Sequence, residues 1–135
     1  MKNLKDILAR AAVEAMKNSY SPYSKYRVGA AVIGESGKIY TGTNVENASY
    51  GLTVCAERIA IFTAVAVGEK KFKAIAIAAA GGEPCGACRQ VMAEFTGPNT
   101  PVYAVRVKNN KIAAITQRKF KDYYPYPFGP QSLKQ

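Results

Sequence analysis

Apolar residues near the start of the chain recur at three- and four-residue intervals. Leu4, Ile7, Leu8, Ala11, Ala12 and Ala15 share one stripe, which predicts an amphipathic helix over residues 3–17. Asn3 is placed to cap it, and Ser21-Pro22 breaks the chain beyond it. Residues 27–33 and 38–41 read as a β-hairpin joined through Gly34-Glu35-Ser36-Gly37. Residues 44–53 are polar and glycine-punctuated, which predicts a loop. Helical spacing returns over 55–67, with Ile59, Phe62 and Ala66 on one face. The short apolar run at 73–80 reads as a strand buried on both faces. After the turn Gly81-Gly82-Glu83-Pro84, a second helical stretch covers 85–95 through Val91, Met92 and Phe95. Residues 101–107 and 111–115 read as two strands separated by Asn109-Asn110, and the Tyr- and Pro-rich tail after Phe120 is expected to be irregular.

The resulting order, α-β-β-α-β-α-β-β, is that of an α/β layered domain in which helices cover a sheet. Neither a repeat nor a linker interrupts it, and 135 residues suit one domain over 1–135. With 48% hydrophobic and 21% charged residues, the chain can bury a core and is not of the disordered class. Charges interrupt every apolar stretch before it reaches the length of a membrane span, and the first residues lack the apolar block of a secretory signal. A soluble cytoplasmic protein is the expectation.

Two counts narrow the chemistry. The chain has no His, so neither a Ser-His-Asp nor a Cys-His nucleophile can be assembled from it. It has three Cys, too few for a closed four-ligand zinc site and an odd number for a disulfide framework. The net charge is +10, which suits either a phosphate-rich partner or a solvated basic surface. Its clusters, Lys70-Lys71-Phe72-Lys73 and Arg118-Lys119-Phe120-Lys121, are shorter than a nucleic-acid-binding arm.

The cysteines are placed where thiolates are favoured. Cys85 and Cys88 sit at the start of one predicted helix and Cys55 at the start of another, where free N–H groups and the helix dipole stabilise negative charge. Three such sulfurs suit Zn²⁺ with one tetrahedral position left open, the arrangement of a catalytic zinc. Glu57, two residues after Cys55, can project into the same mouth and carry protons there.

Cys55-Ala56-Glu57 followed by Pro84-Cys85-Gly86-Ala87-Cys88 resembles the zinc nucleobase deaminases, in the variant whose three ligands are all Cys. Tyr23-Ser24-Lys25-Tyr26-Arg27-Val28-Gly29-Ala30, Asn44-Val45-Glu46-Asn47-Ala48-Ser49-Tyr50-Gly51 and Arg89-Gln90-Val91 extend that likeness to the homotetrameric cytidine deaminases. The resemblance implies a three-layer α/β/α sandwich around a mixed sheet of about five strands. It also implies hydrolysis of cytidine and 2′-deoxycytidine to uridine and deoxyuridine plus ammonia, in pyrimidine salvage.

The same likeness assigns roles by position. Cys55, Cys85 and Cys88 would hold zinc, and Glu57 would shuttle protons between water, the base and the leaving amine. Asn44 and Glu46 would bind the ribose 3′-hydroxyl, the backbone at Ala56 the base, and Tyr50 would wall the site where subunits meet. Tyr26 stands where the family usually has a Phe near the base. Phe128 resembles the C-terminal Phe that reaches a neighbouring subunit's site, although Tyr123-Tyr124-Pro125 replaces the usual Leu-Leu-Pro. Arg58 would offset the −3 + 2 = −1 charge of three thiolates and one Zn²⁺.

Other readings compete for the same residues. Cys85-Gly86-Ala87-Cys88 also has redox-pair spacing, though that leaves Cys55 and Glu57 unused. The basic charge admits a deaminase acting on cytosine or adenine in RNA or DNA; a third reading is a deaminase of another cytosine-bearing nucleoside. A free 3′-hydroxyl partner for Glu46 argues against a polynucleotide, whose 3′-phosphate that carboxylate would repel. The expected partners are a small nucleoside and further copies of the chain, without nucleic acid or membrane.

Overall fold

The computed structural model describes residues 3–81 and 83–133. Asn3 opens the first helix as expected: its Oδ1 accepts the Asp6 amide at 2.9 Å, and α1 runs Leu4–Met16. The hairpin follows as β1 (Gly29–Gly34) and β2 (Ile39–Thr43), turning at Gly37, whose φ of 91° favours glycine. Helix α2 spans Ala56–Ala66, β3 Phe72–Ala79, α3 Gly86–Phe95, β4 Pro101–Lys108 and β5 Lys111–Lys119. Asn109 and Asn110 both take positive φ, 54° and 62°, which matches a two-residue hairpin turn to the right-handed twist of β4 and β5.

The sheet order is β2-β1-β3-β4-β5. β3 pairs antiparallel with β1 and parallel with β4, so the sheet is mixed, and α3 is the crossover that the parallel pair needs. Along β3 the residue types alternate with the faces. Ala74, Ala76 and Ala78 meet Leu8, Ala12 and Met16 of α1, while Ile75 and Ile77 meet Ala60, Ile61 and Met92 of α2 and α3. Each of these buried Ile side chains contributes about 1.5–3 kcal/mol of apolar transfer. The result is a three-layer α/β/α sandwich with β3 inside it, as the continuous apolar run predicted.

Two expectations need correction. Of the predicted α2 face only Ile59 reaches the sheet, half-buried beside Gly42: Phe62 is 48% exposed, Ala66 is exposed, and the buried residues are Ala56, Glu57, Ala60, Ile61 and Ala64. Small alanines let the helix lie close to the strands, and Phe62 and Ala66 face outward. The tail after Phe120 is not wholly irregular either. Phe120–Tyr123 forms a short helix, α4, and Pro130–Leu133 a 3₁₀ turn, because Phe120 and Tyr123 insert into the core beside Met92.

Gly42 controls how closely α2 approaches the sheet. A methyl group there would fall inside contact distance of the Ala56 carbonyl oxygen and the Ala60 amide nitrogen, both backbone atoms of α2. Gly42→Ala is therefore expected to cost about 1–3 kcal/mol of stability, the usual penalty for overpacking, read from urea or thermal unfolding. At the other end of the sheet β5 is an edge strand, exposed along most of its length. Lys111, Arg118 and Lys119 lie on it, a distribution that discourages edge-to-edge pairing.

Candidate metal centre and adjoining cavity

The N-termini of α2 and α3 bring the three cysteines together. Cys55 caps α2, and Cys85 caps α3 with its Sγ accepting the Cys88 amide at 3.5 Å. The Cys55 and Cys85 sulfurs lie 3.8 Å apart, those of Cys85 and Cys88 3.2 Å, and all three within 4.8 Å of one another. Zinc with ~2.3 Å bonds to tetrahedral sulfur sets S···S separations near ~3.8 Å. Among the described residues no fourth Cys, Asp or Glu joins this group. The donor set thus fits zinc with one position left for solvent or substrate. A simple redox pair would leave Cys55, 3.8 Å from Cys85, without a role.

Arg58 lies against the sulfur group. Its Nη2 donates to Cys55 Sγ at 3.5 Å, one helical turn from the cap. The Cys55 thiol is drawn well below its ordinary pKa, first by a hydrogen bond from Cys88 and then by Arg58. Cys88 moves the other way, held protonated by the same hydrogen bond and by burial. Zinc takes cysteine as thiolate, so binding here would release thiol protons.

Beside the sulfurs lies a cavity of about 290 Å³, lined among others by Tyr26, Asn44, Glu46, Cys55, Glu57 and Cys85. Glu57, in the first turn of α2, is 4% exposed. Burial pushes its carboxyl upward from the ordinary carboxylate range, a direction suited to a group that must hold and release a proton. Ala56 is fully buried at the first helical position, where an amide N–H lacks an intrahelical acceptor.

Asn44 and Glu46 face the same cavity, and their protein partners leave complementary valences. Asn44 Oδ1 accepts from Ser19 Oγ and the Val28 amide, while Nδ2 donates one hydrogen to the Tyr26 carbonyl at 2.8 Å, leaving one N–H. Glu46 is 8% exposed; its Oε1 accepts the Tyr23 and Ser24 amides at 3.0 and 3.1 Å, and its Oε2 accepts Ser24 Oγ. A free donor beside a free acceptor matches an alcohol, which both gives and receives a hydrogen bond. The Ser24 hydroxyl, followed by the Ser24 and Tyr23 amides, holds the Glu46 carboxyl below its ordinary pKa. Ionised Glu46 thus supports this loop at pH values above the ordinary carboxylate range. That support is lost as pH falls through the depressed value.

Tyr50 and Phe128 are not brought into this cavity within one chain. Tyr50 is 76% exposed and stacks edge-on with Tyr23, at 5.9 Å between centroids, in a neighbouring hollow that shares Ser24 and Glu46. Phe128 is 55% exposed on α3, where its carbonyl accepts Gln90 Nε2 at 2.8 Å and its amide donates to the Tyr124 hydroxyl at 3.0 Å. Sequence reasoning gave no roles to Ser24, Arg89 or Tyr124. Arg89 Nε donates to the Pro84 carbonyl at 2.8 Å, Nη1 donates to that of Tyr123 at 3.0 Å, and the guanidinium covers the Tyr123 ring. The Arg89–Tyr123 and Gln90–Phe128 bonds join residues 34 and 38 apart in sequence, so no local pattern announces them.

Residues 2–105 match the family described as the cytidine and deoxycytidylate deaminase zinc-binding region. A cytidine deaminase of Sporosarcina psychrophila is 49% identical over 100 residues, covering 72% of this chain and 74% of its own length. One from Mycobacterium tuberculosis is 41% identical over 131 residues, 95% of this chain and 92% of that protein. The crystal structure of cytidine deaminase from Burkholderia pseudomallei superposes with a TM-score of 0.85 at 40% identity, over 95% of this chain and 100% of the other. Sulfur donors, buried carboxyl and sandwich thus agree with the sequence match: the chain belongs to the cytidine and deoxycytidylate deaminase family.

Proposed function

We propose that this protein hydrolyses cytidine, and 2′-deoxycytidine, to the uracil nucleoside and ammonia. The observation that carries this reading is the trio of sulfurs within 4.8 Å, next to a cavity that also holds the buried Glu57 carboxyl. Cys55, Cys85 and Cys88 would hold zinc, which when bound would acidify water and so supply hydroxide near neutral pH. Glu57 takes a proton from the attacking water and places it on N3 of cytosine as C4 gains oxygen. It then delivers a proton to the departing amine, so one water is consumed and one ammonia leaves. The Ala56 amide donates to the base, Tyr26 walls it, and Arg58 draws charge from the Cys55 sulfur.

Sugar recognition decides between a nucleoside and a polynucleotide. The remaining N–H of Asn44 and lone pair of Glu46 take a free 3′-hydroxyl, whereas a 3′-phosphate offers no proton and sets like charges together. Cytidine is expected to exceed 3′-CMP and a cytosine-containing oligonucleotide by about 100-fold or more in kcat/KM. Equal rates on the oligonucleotide would overturn the nucleoside reading in favour of a nucleic-acid deaminase.

Assembly into a homotetramer belongs to the same proposal. The outward-facing Phe62 of α2 and the exposed Tyr50 and Phe128 suit contacts between copies that would complete each cavity. A monomer by light scattering would remove this part. The need for three reduced thiols agrees with a cytoplasmic setting, where free nucleosides enter pyrimidine salvage.

A further inference from the structure

Tyr26 stands between the two halves of the cavity, and its hydrogen bonds run to both. Lys25, at φ 61°, bends the chain sharply just before it. The Tyr26 amide donates to Ser24 Oγ at 3.0 Å, and its carbonyl accepts from Asn44 Nδ2 at 2.8 Å. These partners belong to the hydroxyl-binding pair, since Ser24 also donates to Glu46. At the far end of the side chain, the phenol oxygen accepts the Gly81 amide at 3.1 Å. Gly81 lies in the connection that leaves β3 at Ala79 and delivers Cys85 as the cap of α3.

We propose that Tyr26 is a positioning residue that latches the β3–α3 connection to the sugar-binding pair, so that its phenol sets the cavity width between Glu46 and Cys85. The inference deepens the nucleoside reading and rests on it. Arg89 secures the far end of the connection through the Pro84 carbonyl. The pair Glu83–Arg118, 4.0 Å apart and half exposed, adds little hold. Among the described residues, the phenol is what holds the start of the connection at Gly81. A bare phenyl ring would still wall the base but could not accept the Gly81 amide, and this segment would open more often. Substrate would then have to order the connection on binding, a cost that falls on KM more than on kcat.

The test uses the full-length, zinc-loaded protein and Tyr26→Phe, which keeps the ring and removes the acceptor. Hydrogen exchange over residues 80–84 is expected to quicken about 3- to 10-fold at Gly81, the worth of one hydrogen bond. Zinc content should match the parent, KM for cytidine should rise by a similar factor, and kcat should change less. Gly81→Ala is the comparison: its methyl meets nothing within 4 Å and the amide remains, so its protection should persist. Unchanged exchange in Tyr26→Phe would overturn the latch. A fall in kcat with KM unmoved would overturn the positioning role by placing the phenol in the chemistry. Exchange is read without turnover, so a parent chain inactive on cytidine would defeat the nucleoside reading while the latch was still judged by its own measurement.

Discussion

Glu57→Gln is expected to lower kcat for cytidine about 10²- to 10⁴-fold, the range that general acid–base catalysis contributes. The amide has nearly the same volume and can occupy the same pocket, 4% exposed in the first turn of α2, so the fold should hold. It cannot take a proton from water and pass it on. The three sulfurs are untouched, and elemental analysis should still find about one zinc per chain. The two readings together separate proton transfer from metal binding. An active, zinc-loaded variant would remove Glu57 from the mechanism; an inactive one without zinc would show that it supports the metal instead.

Cys88→Ser should abolish activity by a different route. Cys88 is fully buried, one turn into α3, and a serine hydroxyl in its place would not ionise as a thiol can. Replacing a partner of a metal ligand already costs 10- to 100-fold in affinity, so losing a ligand should cost about 100-fold or more. Dialysed variant should contain little zinc and show no turnover. Chelation of the parent protein should reproduce that loss, with recovery when zinc returns. Full activity in metal-free protein would end the zinc reading.

The clustering of the candidate site was legible because its parts are short and local. Cys55-Ala56-Glu57 and Cys85-Gly86-Ala87-Cys88 each occupy one helix start, where spacing alone places side chains at the same end. The two-faced burial of β3 was readable from an apolar run with no polar alternation. The same logic misled at α2. Periodicity correctly found a stripe through Ile59 and Phe62, but it could not say whether sheet, solvent or another copy would meet it. Bulk suggested the core; the close approach permitted by Gly42 gave that place to alanines instead.

Sequence alone determined the list of possible chemistries: no histidine, three sulfurs, a carboxylate two residues from one of them, and helix starts to hold them. Tertiary structure decided what those groups share. It brought Cys55 within 3.8 Å of Cys85, turned the spare valences of Asn44 and Glu46 into one cavity, and tied Tyr26 to Gly81 across 55 residues. Helical and strand periods report neighbours a few residues away, whereas a cavity depends on sheet order and on how near the helices can pack. Those distances follow from the whole core, which is why the three clustered sulfurs could be named from the chain and the Tyr26–Gly81 hydrogen bond could not.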